Sequence, residues 1–189
     1  MGVAKRTLRF VALMAVAAIW WLACLYLYLS PKLPAAAALQ DIKLQTPLRI
    51  LSADGQLIGQ FGEQKRIPAR YDDLPETFIN ALLAAEDDGF FEHAGIDFLG
   101  LARAASELVA TGSKQSGGST ITMQVARNFF LTLDQTFIRK FTEILLALEI
   151  EQRLSKEQIL ELYVNRVFLG HRSYGFETAA QTYYGKSLA

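Results

Sequence analysis

Carboxylates, a histidine and aromatic side chains are concentrated in one short stretch, residues 82–97 (LLAAEDDGFFEHAGID). The spacing of apolar residues predicts a helix over Pro75 to Asp88. On this helix Glu86 lies beside Leu82 and Leu83, so its carboxyl group leaves the backbone on an apolar flank. Loss of hydration there favours the protonated form, which makes Glu86 a candidate general base or acid. The same charges are also typical of a solvated helix end.

A second set of residues combines hydrogen-bond donors with a cation. The segment Gly117 to Thr120 precedes a predicted helix over about Ile121 to Phe129, so free N–H groups and the positive helix end favour a bound anion. Ser119 is also a good N-cap residue, with no ligand needed. Gln124 and Arg127 are three residues apart and share a face, which lets an amide and a guanidinium address one diphosphate.

A third set lies on a helix that the sequence predicts from Asp134 to Leu154. Apolar residues occur on all its sides, so we expect this helix to be buried. Lys140 and Glu143 form a row along one edge of it, and buried charges are costly unless they pair with each other or with a ligand. The row is therefore either a second part of a site or a structural ion pair.

These segments belong to a chain that predicts one membrane anchor. Nineteen basic and nineteen acidic residues cancel, and no basic stripe indicates nucleic acid. Lys5, Arg6 and Arg9 precede an uncharged run from Phe10 to Leu29, which is long enough for a bilayer core of roughly 30 Å. The basic flank predicts a cytoplasmic amino terminus. A cleaved signal peptide is the alternative, but the run exceeds the usual roughly 7 to 15 apolar residues. The single cysteine, Cys24, lies inside this run.

The predicted organisation has five parts, and the fold class is mainly α. In order, these are a cytoplasmic tail (1–9), a transmembrane helix (10–29), a linker (30–47), a small β extension (48–70) and a helical domain (71–189). Within the extension, Asp54-Gly55 between apolar alternations predicts a β-hairpin. In the helical domain, further helices are predicted over Phe98 to Ala110, Glu157 to Val164 and Phe176 to Tyr184.

Four blocks of residues in the helical domain carry a resemblance to a known family. The blocks are Glu86-Asp87 with Phe90, His93, Gly95 and Asp97; Gly118 to Thr122 with Gln124 and Asn128; Arg139-Lys140 with Glu143; and Lys156 with Ile159 to Glu161 and Tyr163 to Asn165. In content and order they resemble the peptidoglycan glycosyltransferases, the lipid II polymerases of class A penicillin-binding proteins and their monofunctional relatives. The hairpin ahead of the first block looks more like the bifunctional class A enzymes.

The resemblance implies a lysozyme-like helical glycosyltransferase domain that polymerises lipid II into β-1,4 glycan strands, with inversion and release of polyprenyl diphosphate. It implies a single-pass protein of the bacterial inner membrane with a periplasmic catalytic domain. Lipid II, the nascent glycan strand and the membrane are the expected partners. Cell-wall synthesis proteins are further candidate partners. The family's helical domain continues past Ala189, so we expect this sequence to be an amino-terminal part of such a protein.

The resemblance also assigns roles to residues of the four blocks. The expected catalytic residues are Glu86, as the base, and Glu143, which orients Lys140 or helps to hold a divalent cation such as Mg²⁺. The expected substrate-binding residues are Asp87, Phe90, His93, Ser119, Gln124, Arg127, Arg139 and Lys140. Apart from that cation, no cofactor is expected.

Two positions depart from the family pattern, and other readings stay open. Met123 replaces a glutamine, which should remove a polar contact, and Gln135 stands where relatives often place an arginine, which should remove a charge. No serine is followed three residues later by lysine, so no transpeptidase is expected in this chain. The alternatives are a lysozyme-like enzyme that cleaves peptidoglycan and a membrane-anchored interaction module with an inactive site.

Overall fold

The computed structural model describes residues 2–39, 48–55, 57–61, 65–113, 117–131 and 137–188. Its helices are α1 (Gly2–Leu29), α2 (Glu76–Glu86), α3 (Phe98–Thr111), α4 (Ile121–Phe130), α5 (Phe137–Arg153), α6 (Lys156–Arg166) and α7 (Phe176–Tyr184). Its strands are β1 (Leu48–Leu51), β2 (Leu57–Phe61), β3 (Lys65–Arg66) and β4 (Ser173–Tyr174), and short 3₁₀ turns cover Ser30–Lys32, Ala36–Leu39 and Tyr71–Asp73. The predicted fold class, mainly α with one apolar amino-terminal helix and a small β-hairpin, is confirmed.

The chain forms two compact units, Met1–Ala35 and Ala36–Ala189. The first unit consists of α1 and the turn after it. By length and composition, Arg9–Lys32 is a candidate membrane span, and its most apolar part is not buried inside the protein. This helix suits a membrane-anchored protein. The further boundaries predicted at residues 47 and 70 stay predictions.

The core of the second unit lies where α4 packs against α5 and α6. Its largest fully buried apolar side chains come from these three helices and from the segment before α3: Phe90, Ile121, Met123, Val125, Leu146, Ile150, Ile159, Leu160 and Val164. The start of α6 is fixed by a capping box, in which Ser155 and Gln158 each accept a backbone N–H from the other. The helix that carries Lys140 and Glu143, α5, therefore packs against both α4 and α6.

Two small strand pairs complete the second unit. β1 and β2 form the predicted antiparallel hairpin, with Leu48 opposite Phe61 and a register shift between Ile50 and Leu51. Gly55 has a φ of 82° in the turn, a conformation that glycine adopts without strain. β3 pairs in parallel with β4, which comes more than a hundred residues later in the chain. The predicted β extension therefore shares its last strand with the helical body.

Side chains of α6 fix the chain that leads into α2. The side-chain amide of Asn165 accepts from the backbone N–H of Ala69 at 2.9 Å and donates to its carbonyl at 2.8 Å. The Glu161 carboxylate accepts from the backbone N–H of Tyr71 at 2.8 Å. These two residues of the fourth block therefore position the helix that ends in Glu86.

Candidate active site

Glu86 is the last residue of α2, and its side chain is exposed. The expectation of an apolar flank is therefore wrong, although Leu82, one turn earlier, is buried as predicted. The physical reason is that the helix ends at Glu86, so no further turn covers its carboxylate. Glu86 instead borders a cavity of about 380 Å³ together with Ser119 and Arg103.

This cavity adjoins a second one of about 670 Å³. The two share Asp88, Asp97, Gly100 and Arg103 as lining residues. Cavities of this size are typical of small-molecule binding sites in proteins. Together they form a groove that begins beside Glu86 and Ser119 and continues along the start of α3.

Ser119 connects the cavity to the cations of α5. Lys140 Nζ donates to Ser119 Oγ at 2.5 Å and lies 3.3 Å from a carboxylate oxygen of Glu143. Burial lowers the pKa of Lys140, and the charge of Glu143 opposes this shift. Arg139 donates to the other oxygen of Glu143. Glu143 is only 1% exposed, so it sits between two cations inside the fold.

A chain of polar contacts connects Glu86 to a further cation on α4. Gln124 Nε2 donates to Glu86 Oε2 at 2.9 Å, and Arg127 Nη2 approaches Gln124 Oε1 to 3.5 Å. The charge of Arg127 also opposes protonation of Lys140. The structure therefore brings five predicted site residues into one neighbourhood. They are Glu86, Ser119, Gln124, Arg127 and Lys140.

Asp87 lines the first cavity and His93 the second, and both also make contacts inside the fold. Asp87 accepts hydrogen bonds from the backbone N–H of Ile121 at 2.9 Å and from His93 Nε2 at 3.0 Å. His93 Nδ1 accepts from the backbone N–H of Gly95, which assigns its proton to Nε2. The side chain of Asp87 is only 4% exposed. These contacts join the chain after Glu86 to the start of α4, and the binding of substrate by Asp87 and His93 stays a prediction.

The structure adds three further observations on residues that the sequence singled out. Phe90 is fully buried, with Lys156 Nζ 4.4 Å from its ring centroid, so it is part of the core and not of the groove. Met123 is fully buried on the core side of α4, so the glutamine it replaces would not have reached the groove from this position. Thr120, and not Ser119, caps α4, since its hydroxyl accepts from the backbone N–H of Met123. Gln135 lies outside the described residues.

The sequence alone did not place Arg103 or Tyr163 at the site. Arg103 belongs to none of the four sequence blocks, yet it lines both cavities. Burial raises the pKa of the Tyr163 phenol, with a further contribution from the charge of Glu86, and Arg127 opposes the shift. One signal was available for Arg103, because it lies only six residues after Asp97, the last residue of the first block.

The donor set around Glu143 does not fit a divalent cation. Both of its carboxylate oxygens already face a cation, Arg139 or Lys140, so neither is free to bind a metal ion in this structure. Within the described ranges, no group of three or more His, Cys, Asp and Glu side chains could hold a metal ion. The expectation of a divalent cation held together with the substrate's phosphates stays a prediction, and no step below depends on it.

In this mainly helical unit, the Glu86 carboxylate borders a cavity, and the Lys140 ammonium group is hydrogen-bonded to Ser119 on the wall of the same cavity. The model of the family described as Transglycosylase matches residues 54–189. The chain therefore belongs to the transglycosylase family, as its four sequence blocks indicate.

The similar proteins are penicillin-binding proteins. The chain is 58% identical over 163 residues to penicillin-binding protein 1A of Pseudomonas aeruginosa, a match covering 86% of this chain and 20% of that protein. It is 50% identical over 164 residues to penicillin-binding protein 1A of Escherichia coli K12, covering 87% of this chain and 19% of the relative. The chain thus spans about a fifth of the length of these relatives.

A solved structure, penicillin-binding protein 1A from Haemophilus influenzae, also matches this chain. The match covers 78% of this chain and 12% of the other, at 31% identity. Its TM-score is 0.32, a value at which similarity of fold is not established.

Proposed function

We propose that this chain carries a peptidoglycan glycosyltransferase site that polymerises lipid II into β-1,4 glycan strands. The observation that carries the proposal is the position of Glu86 and Ser119 on one cavity, with Lys140 hydrogen-bonded to Ser119. A carboxylate can take a proton from an attacking hydroxyl, and cations can stabilise a departing diphosphate. The Glu86 carboxylate on the cavity and the Lys140 ammonium group bonded to its wall support these two roles.

In the proposed reaction, the 4-hydroxyl oxygen of the acceptor attacks C1 of the donor sugar while Glu86 takes the hydroxyl proton. The bond between C1 and the diphosphate oxygen breaks, and its electron pair leaves with the polyprenyl diphosphate. Because the reaction is a single displacement, the α-linked donor gives a β-1,4 product with inversion. The exposed position of Glu86 at a helix end supports this role, since its carboxylate is accessible from the cavity.

The diphosphate is the part of the substrate that the cations recognise. Lys140 is the residue best placed to do so, because its ammonium group reaches Ser119 on the cavity wall. Arg127 adds a second positive charge, and Arg139 supports Lys140 indirectly by sharing the Glu143 carboxylate. Positive charge held in place before the reaction stabilises the leaving group without reorganisation.

The substrate class also gives the amino-terminal helix a purpose. Donor and acceptor both carry polyprenyl tails and stay at a bilayer surface, so a membrane-anchored enzyme meets them there. We propose the bacterial inner membrane as this location, with α1 as a single span and the catalytic unit on the periplasmic side. The basic residues before Phe10 support that orientation. Cell-wall synthesis proteins are the proposed protein partners.

Two alternatives are separated by one experiment. The chain, with α1 in lipid vesicles, is incubated either with lipid II or with finished peptidoglycan, and the products are resolved by size. Elongated glycan from lipid II supports the polymerase. Shortened glycan from peptidoglycan would instead support a lysozyme-like enzyme, which has no use for the Lys140 and Arg127 charges. Binding of lipid II with neither product would support an inactive interaction module.

A further inference from the structure

Gln124 lies between an anion and a cation, and each end of its side-chain amide faces one of them. Its Nε2 is 2.9 Å from Glu86 Oε2, and its Oε1 is 3.5 Å from Arg127 Nη2. The opposite orientation of the amide would place its oxygen against the carboxylate and its NH₂ group against the guanidinium. Both neighbours therefore require the same orientation, in which Gln124 donates to Glu86.

The backbone around this hydrogen bond is held firmly. Met123 and Val125, on either side of Gln124, are fully buried, so this turn of α4 cannot rotate without disturbing the core. Asp87, the neighbour of Glu86, accepts the backbone N–H of Ile121 in the first turn of the same helix. The end of α2 and the start of α4 are thus joined at two successive residues, Glu86 and Asp87.

The hydrogen bond also distinguishes the two oxygens of Glu86. Oε2 accepts from Gln124, and among the described residues no other hydrogen bond to the carboxylate is found. Oε1 is consequently the oxygen left for an incoming hydroxyl. An amide that anchors one oxygen fixes the rotation of the carboxylate and therefore the direction in which the other oxygen points.

We propose that Gln124 is a positioning residue, which holds the Glu86 carboxylate in the orientation that accepts the proton of the acceptor hydroxyl. This inference rests on the proposed function. It differs from the expectation that Gln124 binds the diphosphate, because the amide is already engaged with Glu86 and directed by Arg127. A positioning residue should affect the rate of the chemical step and leave substrate affinity largely unchanged.

The test compares Gln124→Met, which keeps the length of the side chain and removes the amide, with Gln181→Met. Gln181 Nε2 donates to Glu177 at 2.7 Å on α7, so the control removes the same kind of hydrogen bond away from the groove. In vesicles carrying lipid II, we expect Gln124→Met to lower kcat about 10- to 100-fold, the scale of a small misplacement of a catalytic group. KM and the affinity for inorganic diphosphate should stay within about twofold of the unmodified chain, and the control should be fully active.

A second variant, Gln124→Glu, tests whether the side chain at position 124 must be an uncharged donor to Glu86. It keeps the shape of the side chain but places a second carboxylate next to Glu86, so the acidic limb of the kcat profile should move to higher pH. Other charged or titratable groups contribute to this environment and are unchanged in the variant. They are Asp87 and Asp88 next in the chain, Asp97 and Arg103 across the cavity, Arg127 on α4 and the buried Tyr163 on α6.

The outcomes separate this inference from the function it rests on. A Gln124→Met chain with normal kcat and weakened diphosphate binding would overturn the inference and make Gln124 a substrate contact. Normal kcat with normal binding would also overturn it. If the unmodified chain does not extend lipid II, the proposed function itself fails. Each variant should unfold at the same temperature as the unmodified chain. A loss of activity then does not come from a loss of structure.

Discussion

Lys140 on α5 donates a hydrogen bond to the hydroxyl of Ser119, the residue before the cap of α4. The contact is available because Thr120 supplies the cap and leaves the Ser119 side chain unused by the helix. A cation from one helix and a hydroxyl from the approach to another therefore meet at the wall of the cavity that Glu86 borders. This relationship defines the proposed diphosphate position and leads to the first prediction.

Replacing Lys140 with alanine should weaken binding of inorganic diphosphate. The variant loses one charge-assisted hydrogen bond, which is typically about 1.5–3 kcal/mol, or roughly 10- to 100-fold in affinity. Titration calorimetry measures the change. Lys156→Ala is not a suitable control, because Lys156 is bonded inside the fold to Glu151. Lys186→Ala is the better comparison, since Lys186 is exposed and lies outside the groove; equal losses in both variants would count against a specific site.

The affinity for diphosphate should also decrease at alkaline pH. Burial lowers the pKa of Lys140 in the free protein, whereas a bound anion stabilises the charged ammonium and raises it. Affinity should therefore be constant below the lowered pKa and fall as pH rises through it. Lys140→Arg keeps its charge over the whole range and should lose this dependence. Diphosphate itself titrates, but this contribution is the same for both proteins and cancels when their affinities from calorimetry are compared. If both affinities changed with pH in parallel, the prediction would be contradicted.

Glu86→Gln should abolish polymerisation of lipid II and leave the fold intact. A general base typically contributes about 10²- to 10⁴-fold to the rate. Because Glu86 is exposed, the substitution should change the free energy of unfolding by no more than about 0.5 kcal/mol. Asp88→Asn is the matched control, as another exposed acid on the same cavity. Undiminished turnover in Glu86→Gln would remove Glu86 from the role of base.

Glu143→Gln should be strongly destabilising. The substitution leaves Arg139 and Lys140 without the buried carboxylate that pairs with both, and breaking a buried ion pair typically costs about 3–5 kcal/mol. Glu149→Gln breaks the partly exposed pair with Arg153 on the same helix and should cost at most about 1 kcal/mol. Urea denaturation of both variants gives the comparison. Similar unfolding midpoints would mean that Glu143 is not needed for stability.

Asp87→Asn should lower stability by about 1–3 kcal/mol, the usual cost of leaving a buried polar group poorly paired. With the asparagine oxygen on Ile121, an NH₂ group replaces the oxygen that faces His93 Nε2 at 3.0 Å, so a donor meets a donor there and His93 keeps only the longer contact of 3.2 Å. Polymerisation should fall as well, because the contact lies next to Glu86. Thermal unfolding tests the first expectation, and a variant as stable as the unmodified chain would show that the buried hydrogen bonds contribute little.

Local signals in the sequence predicted several of these elements correctly. The helices were predictable because apolar side chains recur at the period of an α-helix, as in the buried set of α4, α5 and α6. The hairpin at Asp54-Gly55 and the capping box at Ser155 are also local patterns. The same holds for α1, which is predicted by its length and composition.

Other features depend on contacts between distant parts of the chain. The pairing of β3 with β4 and the bonds from Asn165 to Ala69 join segments about a hundred residues apart, so no local pattern indicates them. For Glu86 the sequence left an apolar flank and a solvated helix end as alternatives, because helical spacing cannot show that the helix ends at that residue. Asp87 is buried and its neighbour Glu86 is exposed. This difference likewise depends on the turn after α2.

Gly118 lies in close contact with α3 beside the groove. A methyl group on its backbone would lie only 3.0 Å from the side chain of Leu101 on α3 and 3.5 Å from that of Ala104. α3 therefore rests directly on the chain that delivers Ser119, and the helix forms one wall of the cavity beside Glu86. A side chain at this position would require Leu101 to move by a few tenths of an ångström, so the absence of a side chain at Gly118 allows α3 to pack closely against the segment that carries Ser119.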